Sequence, residues 1–378
     1  MKITKLSIIA AMALSSAWAG GDITPVEPAV EAPASEACNA NTTIDGKATL
    51  YYITDDGSYD LFDSESSRFG AAATVNVAHK IMDNVTANIT AVGFTNLTDD
   101  GGYYEGVETG AYFNVANITA SYGDTTLVAG RQLLGTPMLQ GYDWLLAPGS
   151  FEAYTLVNTS IPDVTLVAAY VDEYRQNNSG VDFVELPGDN WTISAAYAGE
   201  AFSASAWYYN IDGVTAFALP EYTQVYVDAS TKFSDIKVAG QYAYTDWDGE
   251  DASNAFGIMA STEISGISLM GAYNNVSDNP VGYVGWNGLY TNSWNTTVAN
   301  SVGNAFKVEA ATEFSDLSLT ASYAYYEYDN ALEEGHEFDL IAGYALTDCI
   351  SLDAIYSNTD YGDGENINQL EFIATYKF

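Results

Sequence analysis

Positive charge is scarce in this 378-residue chain, where 11 Lys and Arg stand against 50 Asp and Glu for a formal net charge of -39. A field of that sign repels nucleic acid and anionic solutes, and leaves cations and neutral solutes as partners. Cysteine and histidine are nearly absent, with two of each. His79 and His336 lie far apart with no motif around them, and no Ser/His/Asp elbow, phosphate loop or Cys/His cluster accompanies them. The residues therefore give no support to an enzyme or a resident cofactor. Beyond the N-terminus, no stretch approaches the ~18 consecutive apolar residues of a membrane helix. If the chain spans a membrane, it does so with strands.

What is abundant is aromatic: 13% of the residues, including 29 Tyr, in a chain that is 48% hydrophobic and only 16% charged. That is too apolar for a disordered polymer, and no break in composition supports two separate cores. One large sheet closed on itself fits better. At the start, Lys2 and Lys5 precede the apolar stretch Leu6 to Leu14 and the small-residue site Ala17-Trp-Ala19. Residues 1–19 read as a secretory signal peptide cut after Ala19, and loss of its two lysines takes the net charge from -39 to -41. Residues 20–43, with Pro25, Pro28 and Pro33 among Ala and Glu, read as an extended periplasmic linker. Cys38 lacks the apolar neighbour of a lipoprotein cleavage site, so no lipid anchor is expected.

From residue 44 to 378 the pattern is period-2 strands joined by tight turns. Segments 225–238, 256–269, 306–319 and 338–348 repeat one hairpin, each with a Ser/Thr-Asp/Gly turn. The outgoing strands share an apolar face that ends on tyrosine: Ile236-Val238-Gly240-Tyr242, Ile267-Leu269-Gly271-Tyr273 and Leu317-Leu319-Ala321-Tyr323. Six residues of strand rise about 20 Å, which sets the tyrosine near the far edge of an apolar band about 25 Å tall. The opposite faces carry Gln241, Thr245, Ser322 and Ser357. Short turns on one side alternate with long acidic or Gly/Asn-rich loops on the other, and the last strand ends on Phe378. Together these predict an all-β transmembrane antiparallel barrel of about 18 strands. Segment 104–122 is long for one strand and offers a further turn at Asn114 to Asn117, and sixteen strands is the alternative count.

The strand ending Gly130-Arg131-Gln132, followed by Thr136-Pro137, an aspartate and a proline before Phe151, resembles the third-loop region of OprD-like outer-membrane porins. The likeness is nearest to the major porins of the campylobacter-type branch. It implies that Gln132 to Gly149 folds inward and narrows the pore; from the residues we expect Arg131, Asp143 and Glu152 at the constriction and Pro137, Trp144 and Pro148 as anchors of the loop. The residues agree in part, since Leu133, Leu134, Met138, Leu139, Leu145 and Leu146 are oily for an exposed loop and need burial. For Arg131 two roles are open: to face Asp143 and Glu152 across the pore, or to tie the loop down by an ion pair. The chain holds three arginines, so the basic ladder that guides carboxylates in those porins has no counterpart here.

The expected function is a general diffusion porin of the bacterial outer membrane, passive and cation-preferring, with a substrate-specific channel or an adhesin-like envelope barrel as alternatives. Expected partners are outer-membrane lipid and lipopolysaccharide, two further copies in a homotrimer, and the periplasmic chaperones and barrel-assembly machinery. Acidic loops such as Asp246 to Asp251 resemble calcium-loop spacing only loosely, and calcium bridging there is a secondary expectation. Cys349 opens a strand just after a periplasmic turn, about 10 Å sideways from the first strand, within reach of Cys38 on the linker. A disulfide joining them is expected in the exported protein. Thiol titration of the denatured, non-reduced protein should then find no free thiols, and two would rule the bridge out.

Overall fold

The computed structural model describes residues 41–98, 108–141, 145–213, 219–329, 334–362 and 365–378. Within them, eighteen antiparallel strands form one closed sheet. In chain order these are β1 (Thr42–Asp55), β2 (Ser67–Met82), β3 (Val85–Asn96), β4 (Thr109–Tyr122), β5 (Thr125–Gln132), β7 (Ser150–Asn158), β8 (Val164–Arg175), β9 (Val184–Ala198) and β10 (Phe202–Ile211). They continue with β11 (Tyr222–Phe233), β12 (Ile236–Trp247), β13 (Ser253–Ile264), β14 (Ile267–Ser277), β16 (Gly303–Phe314), β17 (Leu317–Tyr328), β18 (Gly335–Thr347), β19 (Ile350–Asp360) and β20 (Asn366–Lys377). Two further pieces, β6 (Leu139–Gln140) and β15 (Val284–Gly285), pair with each other apart from the barrel.

Each barrel strand pairs with its sequence neighbour, and β20 returns to β1 in the register Lys47↔Lys377 through Asp55↔Gln369. The seam finishes with reciprocal bonds between Gly46 and Phe378, 2.9 and 3.0 Å long. Closure leaves no sheet edge, which is what a strand-built membrane span requires. Within the described part of segment 104–122, Thr109–Tyr122 is one strand, not two. It absorbs its extra residue as a bulge at Asn114, where the partners Thr90↔Val115 and Ala91↔Phe113 skip a position.

Tight turns close the hairpins on one side. At Ser234-Asp235, Ser265-Gly266 and Ser315-Asp316 the leading serine adopts φ 55°, the left-handed geometry that matches the twist of the flanking strands. By the convention of such barrels this is the periplasmic side. Outward faces are apolar as the tyrosine-ended pattern requires: Leu166, Tyr170, Ile236, Tyr242, Leu319, Tyr323, Phe372 and Tyr376 are all exposed. Phe233, Phe314 and Leu346 stand exposed beside the turns. The alternate positions Gln241, Thr245, Ser322, Ser357 and Glu371 are buried toward the lumen. Cys349 lies at the turn between β18 and β19, its amide donating to Thr347 Oγ1 at 3.2 Å. Cys38, the expected signal peptide and all but the last residues of the expected linker lie outside the described residues.

Val308 sits mid-strand on β16 and points outward, 59% exposed. Val308→Arg should cost about 2–4 kcal/mol by placing a charge at the bilayer midplane. Ala311→Ser, on the lumen face of the same strand, should cost little, and denaturant unfolding in lipid vesicles checks both.

Candidate functional site: two loops in the lumen

Two of the long loops turn inward. Residues 133–149, the third loop, carry Leu134, Met138 and Leu139, each 1% exposed, into a cluster with Phe151, Tyr174, Trp207, Tyr209 and Tyr222 of the wall. The far end of the same loop, Leu145-Leu146-Ala147, packs in a second cluster against Tyr51, Ile53, Val92 and Phe94 on β1 and β3. The loop therefore touches walls on either side of the lumen. Each buried apolar side chain favours that position by about 1.5–3 kcal/mol over exposure. That is the physical reason an oily loop folds into the barrel.

The carbonyls of the two prolines expected to anchor this loop both accept hydrogen bonds. Pro137 O accepts from Gly288 N at 2.8 Å, and Pro148 O accepts from Tyr112 OH at 2.6 Å and Arg175 Nη1 at 3.2 Å. Arg175 also donates to Ala147 O, Gln176 O and Ser179 O, and its guanidinium lies 3.7 Å from the Tyr112 ring centroid. Asp143 and Trp144 fall outside the described residues.

Arg131 and Glu152 do form an ion pair, with Nε to Oε2 at 3.2 Å, and Glu173 lies 3.8 Å from the same guanidinium. Their place corrects the expected constriction. The register Leu127↔Leu156, Ala129↔Tyr154, Arg131↔Glu152 puts all six on one face. Leu127, Leu156 and Tyr154 on that face are exposed, whereas Phe151 and Ala153 of the alternate face join the lumen cluster. Strand parity thus turns Arg131 and Glu152 to the outside of the barrel, beneath the Phe183 ring. The pair bridges β5 and β7 on that outward face.

The larger surprise is the seventh loop, residues 278–302. It joins the third loop directly, because β15 pairs in parallel with β6 as Val284↔Leu139 and Gly285↔Gln140. Gly285 has φ 81°, and a Cβ there would collide with the Gln140 carbonyl oxygen, so the close approach requires glycine. From that junction the loop is stitched along the wall. Trp247 Nε1 donates to Pro280 O, Gln224 Nε2 to Gly282 O, Thr291 N to Asn274 Oδ1, and Lys307 Nζ to Asn292 O, at 2.8 to 3.1 Å. Tyr283 and Tyr290 of this loop are pushed to higher pKa by burial, so both stay protonated hydroxyls.

The loop ends on carboxylates of the wall. Trp294 Nε1 donates to Glu371 Oε1 at 2.6 Å, and Asn295 N to Glu337 Oε1 at 2.6 Å. Tyr51 OH and Gln369 Nε2 also donate to Glu371, at 3.1 and 2.6 Å. Sequence reasoning missed these residues. The signal was present, since Val281, Tyr283, Val284, Trp286, Leu289, Tyr290 and Trp294 make this loop as oily as the third. No group of three or more His, Cys, Asp or Glu placed to hold a metal occurs among the described residues.

No protein-family model matches the chain, and no curated protein does. Solved structures match it along most of its length. OpdK of Pseudomonas aeruginosa, in a structure with vanillate, superposes with TM-score 0.76 at 15% identity over 89% of this chain and 98% of that one. OccK8 (OprE) of the same organism and OccAB2 of Acinetobacter baumannii each give TM-score 0.75 at 14% identity, again over 89% and 98%. The chain shares the barrel architecture of these proteins. At such identities the likeness is one of architecture, an 18-stranded barrel resembling OprD-like porins of the outer membrane. The finer likeness to campylobacter-type porins is not carried by these matches.

Trp294→Ala should free the end of the seventh loop, since a hydrogen bond to a charged group contributes about 1.5–3 kcal/mol. Single-channel conductance in planar bilayers should rise. Arg131→Gln, on the outer face, should leave conductance and reversal potential unchanged in the same recordings.

Proposed function

We propose that this protein is a passive, substrate-selective channel of the bacterial outer membrane for small hydrophilic solutes, with cations favoured over anions. The observation that carries this reading is the pair of loops joined at Leu139-Gln140 and Val284-Gly285, which fills the lumen with a shaped, hydrogen-bonded lining. A general diffusion pore needs only one size-limiting loop. Two interlocked loops docked on both sides of the lumen give a defined contact surface, which is how a channel discriminates solutes by more than size. The Occ-type fold agrees with the selective reading over the general one.

Solute class follows from charge. Vanillate, present in the OpdK structure, is an aromatic carboxylate. This chain has few groups suited to guiding such an anion: Arg131 faces outward, and Arg175 is committed to loop carbonyls. Arg68, opposite Ile53 on the lumen face, is the remaining arginine. Outer loops carry Asp56, Asp60, Asp63 and Glu65, then Asp248, Glu250 and Asp251, and they concentrate cations at the mouth. We further propose that the barrels associate as trimers and that a Cys38–Cys349 disulfide pins the linker beneath the barrel.

Planar-bilayer recording across a salt gradient tests the function. The expected result is steady ohmic steps, a reversal potential of the sign for cation permeation, and saturable block by a subset of small solutes. Anion-selective reversal would overturn the charge argument, and unblockable current would return the protein to the general porins. Absence of conductance from folded protein would sink the channel reading and favour a structural or adhesive barrel.

A further inference from the structure

One carboxylate of the lumen wall stands apart from those that hold the seventh loop. Asp228 lies half-buried on the lumen face of β11, in register with Ser205 on β10. Its Oδ1 accepts the Ser205 hydroxyl, whose oxygen in turn accepts from Trp207 Nε1 at 3.1 Å. That relay fixes the carboxylate. Its Oδ2 takes no hydrogen bond among the described residues, and partial exposure leaves that oxygen to the lumen.

Both inward loops converge above it. Trp207 and Tyr226 pair with each other two residues nearer the extracellular side, a rise of about 7 Å. Tyr209, next to them, accepts from Met138 N of the third loop at 3.4 Å. Tyr290 of the seventh loop lies within the field of Asp228, as do Tyr209 and Tyr226. Tyr290 is 1% exposed, and its hydroxyl is buried without a hydrogen-bond partner. A buried phenol that finds no acceptor costs free energy unless a bound group supplies one. The base that acts on Asp228 is Lys237 of β12, two rows nearer the periplasm. Asp228 is a single carboxylate, not a member of an acidic cluster.

We propose that Asp228 Oδ2 and the Tyr290 hydroxyl form a binding site for a small organic ammonium with an oxygen acceptor near its charged nitrogen, an amino alcohol by class. Asp228 accepts from the ammonium in a charge-assisted hydrogen bond, and Tyr290 donates to the oxygen. The aromatic side chains above the carboxylate favour an organic cation over strongly hydrated sodium or potassium. Lys237 competes for the same carboxylate, which keeps binding weak enough for a solute to leave. A role in solute selection rests on the channel reading above, since a solute held here lies where the two loops narrow the lumen. The binding itself does not.

The test uses the full chain refolded in detergent, with folding checked by circular dichroism and ethanolamine as the probe. Saturation-transfer NMR should show ethanolamine bound to the wild type, and ethylene glycol, of equal size but without the ammonium, unbound. Asp228→Asn should weaken ethanolamine binding at least about tenfold, the factor carried by a hydrogen bond to a charged group. Tyr290→Phe should weaken ethanolamine but not ethylammonium, which lacks the oxygen, and this comparison stands if Asp228→Asn fails to fold. No ethanolamine binding, equal binding in wild type and Asp228→Asn, or equal binding of ethylene glycol overturns the proposal. Equal loss of both amines in Tyr290→Phe removes Tyr290 from the site. In planar bilayers ethanolamine should block the wild-type conductance saturably, and Asp228→Asn should raise the half-blocking concentration by the same factor. Binding without conductance would sink the channel reading and spare the site, and cation-selective conductance without binding would do the reverse.

Discussion

A strand crossing lipid has no water to satisfy its backbone amides and carbonyls, so every one must pair with a neighbouring strand. That constraint fixes the rest of the molecule. It forces β20 back onto β1, ending in the reciprocal bonds of Gly46 and Phe378. Once the sheet is closed, the two-residue side-chain period gives every strand one face to lipid and one to the lumen. Ordinary hydrophobicity is then inverted: Phe372 and Tyr376 lie outside, whereas Glu371, next to Phe372, is buried at 1% exposure.

An 18-stranded barrel encloses more space than its own side chains fill, and here loops occupy it. Both inward loops use the same two devices. Apolar side chains such as Leu139, Val284 and Leu289 pack against aromatic wall residues, while loop amides and carbonyls are satisfied by Gln224, Asn274 and Glu337, and Glu371 accepts from the Trp294 indole. A loop backbone buried in a lumen cannot be left unsatisfied, so polar wall residues are required where the loops dock. The carboxylates of β18 and β20 meet that need, at the expense of burying charge.

Much of this was legible in the residues. The strand count, the tyrosine-ended outward faces, the Ser-Asp and Ser-Gly turns and the burial of Leu134, Met138 and Leu139 all follow from period-2 patterning and oily loop composition. Segment 104–122 was ambiguous because a bulge at Asn114 and an extra turn both consume surplus residues, and only pairing distinguishes them. For Arg131 and Glu152, a position beside the third loop left both a pore-facing role and a loop-tying ion pair open. Position along the chain is silent about facing, and parity counted from Leu127 and Leu156 turns both outward.

The sequence by itself determined that the chain forms a closed membrane barrel with an apolar exterior, because alternation and turn chemistry are local properties. Which residues meet inside the lumen was decided by tertiary structure alone. Trp294 and Glu371 are 77 positions apart, Leu139 and Val284 lie on different loops, and no periodicity links either pair. Their contacts exist because closing the sheet brings distant loops into one confined volume, where packing and hydrogen-bond satisfaction select the partners.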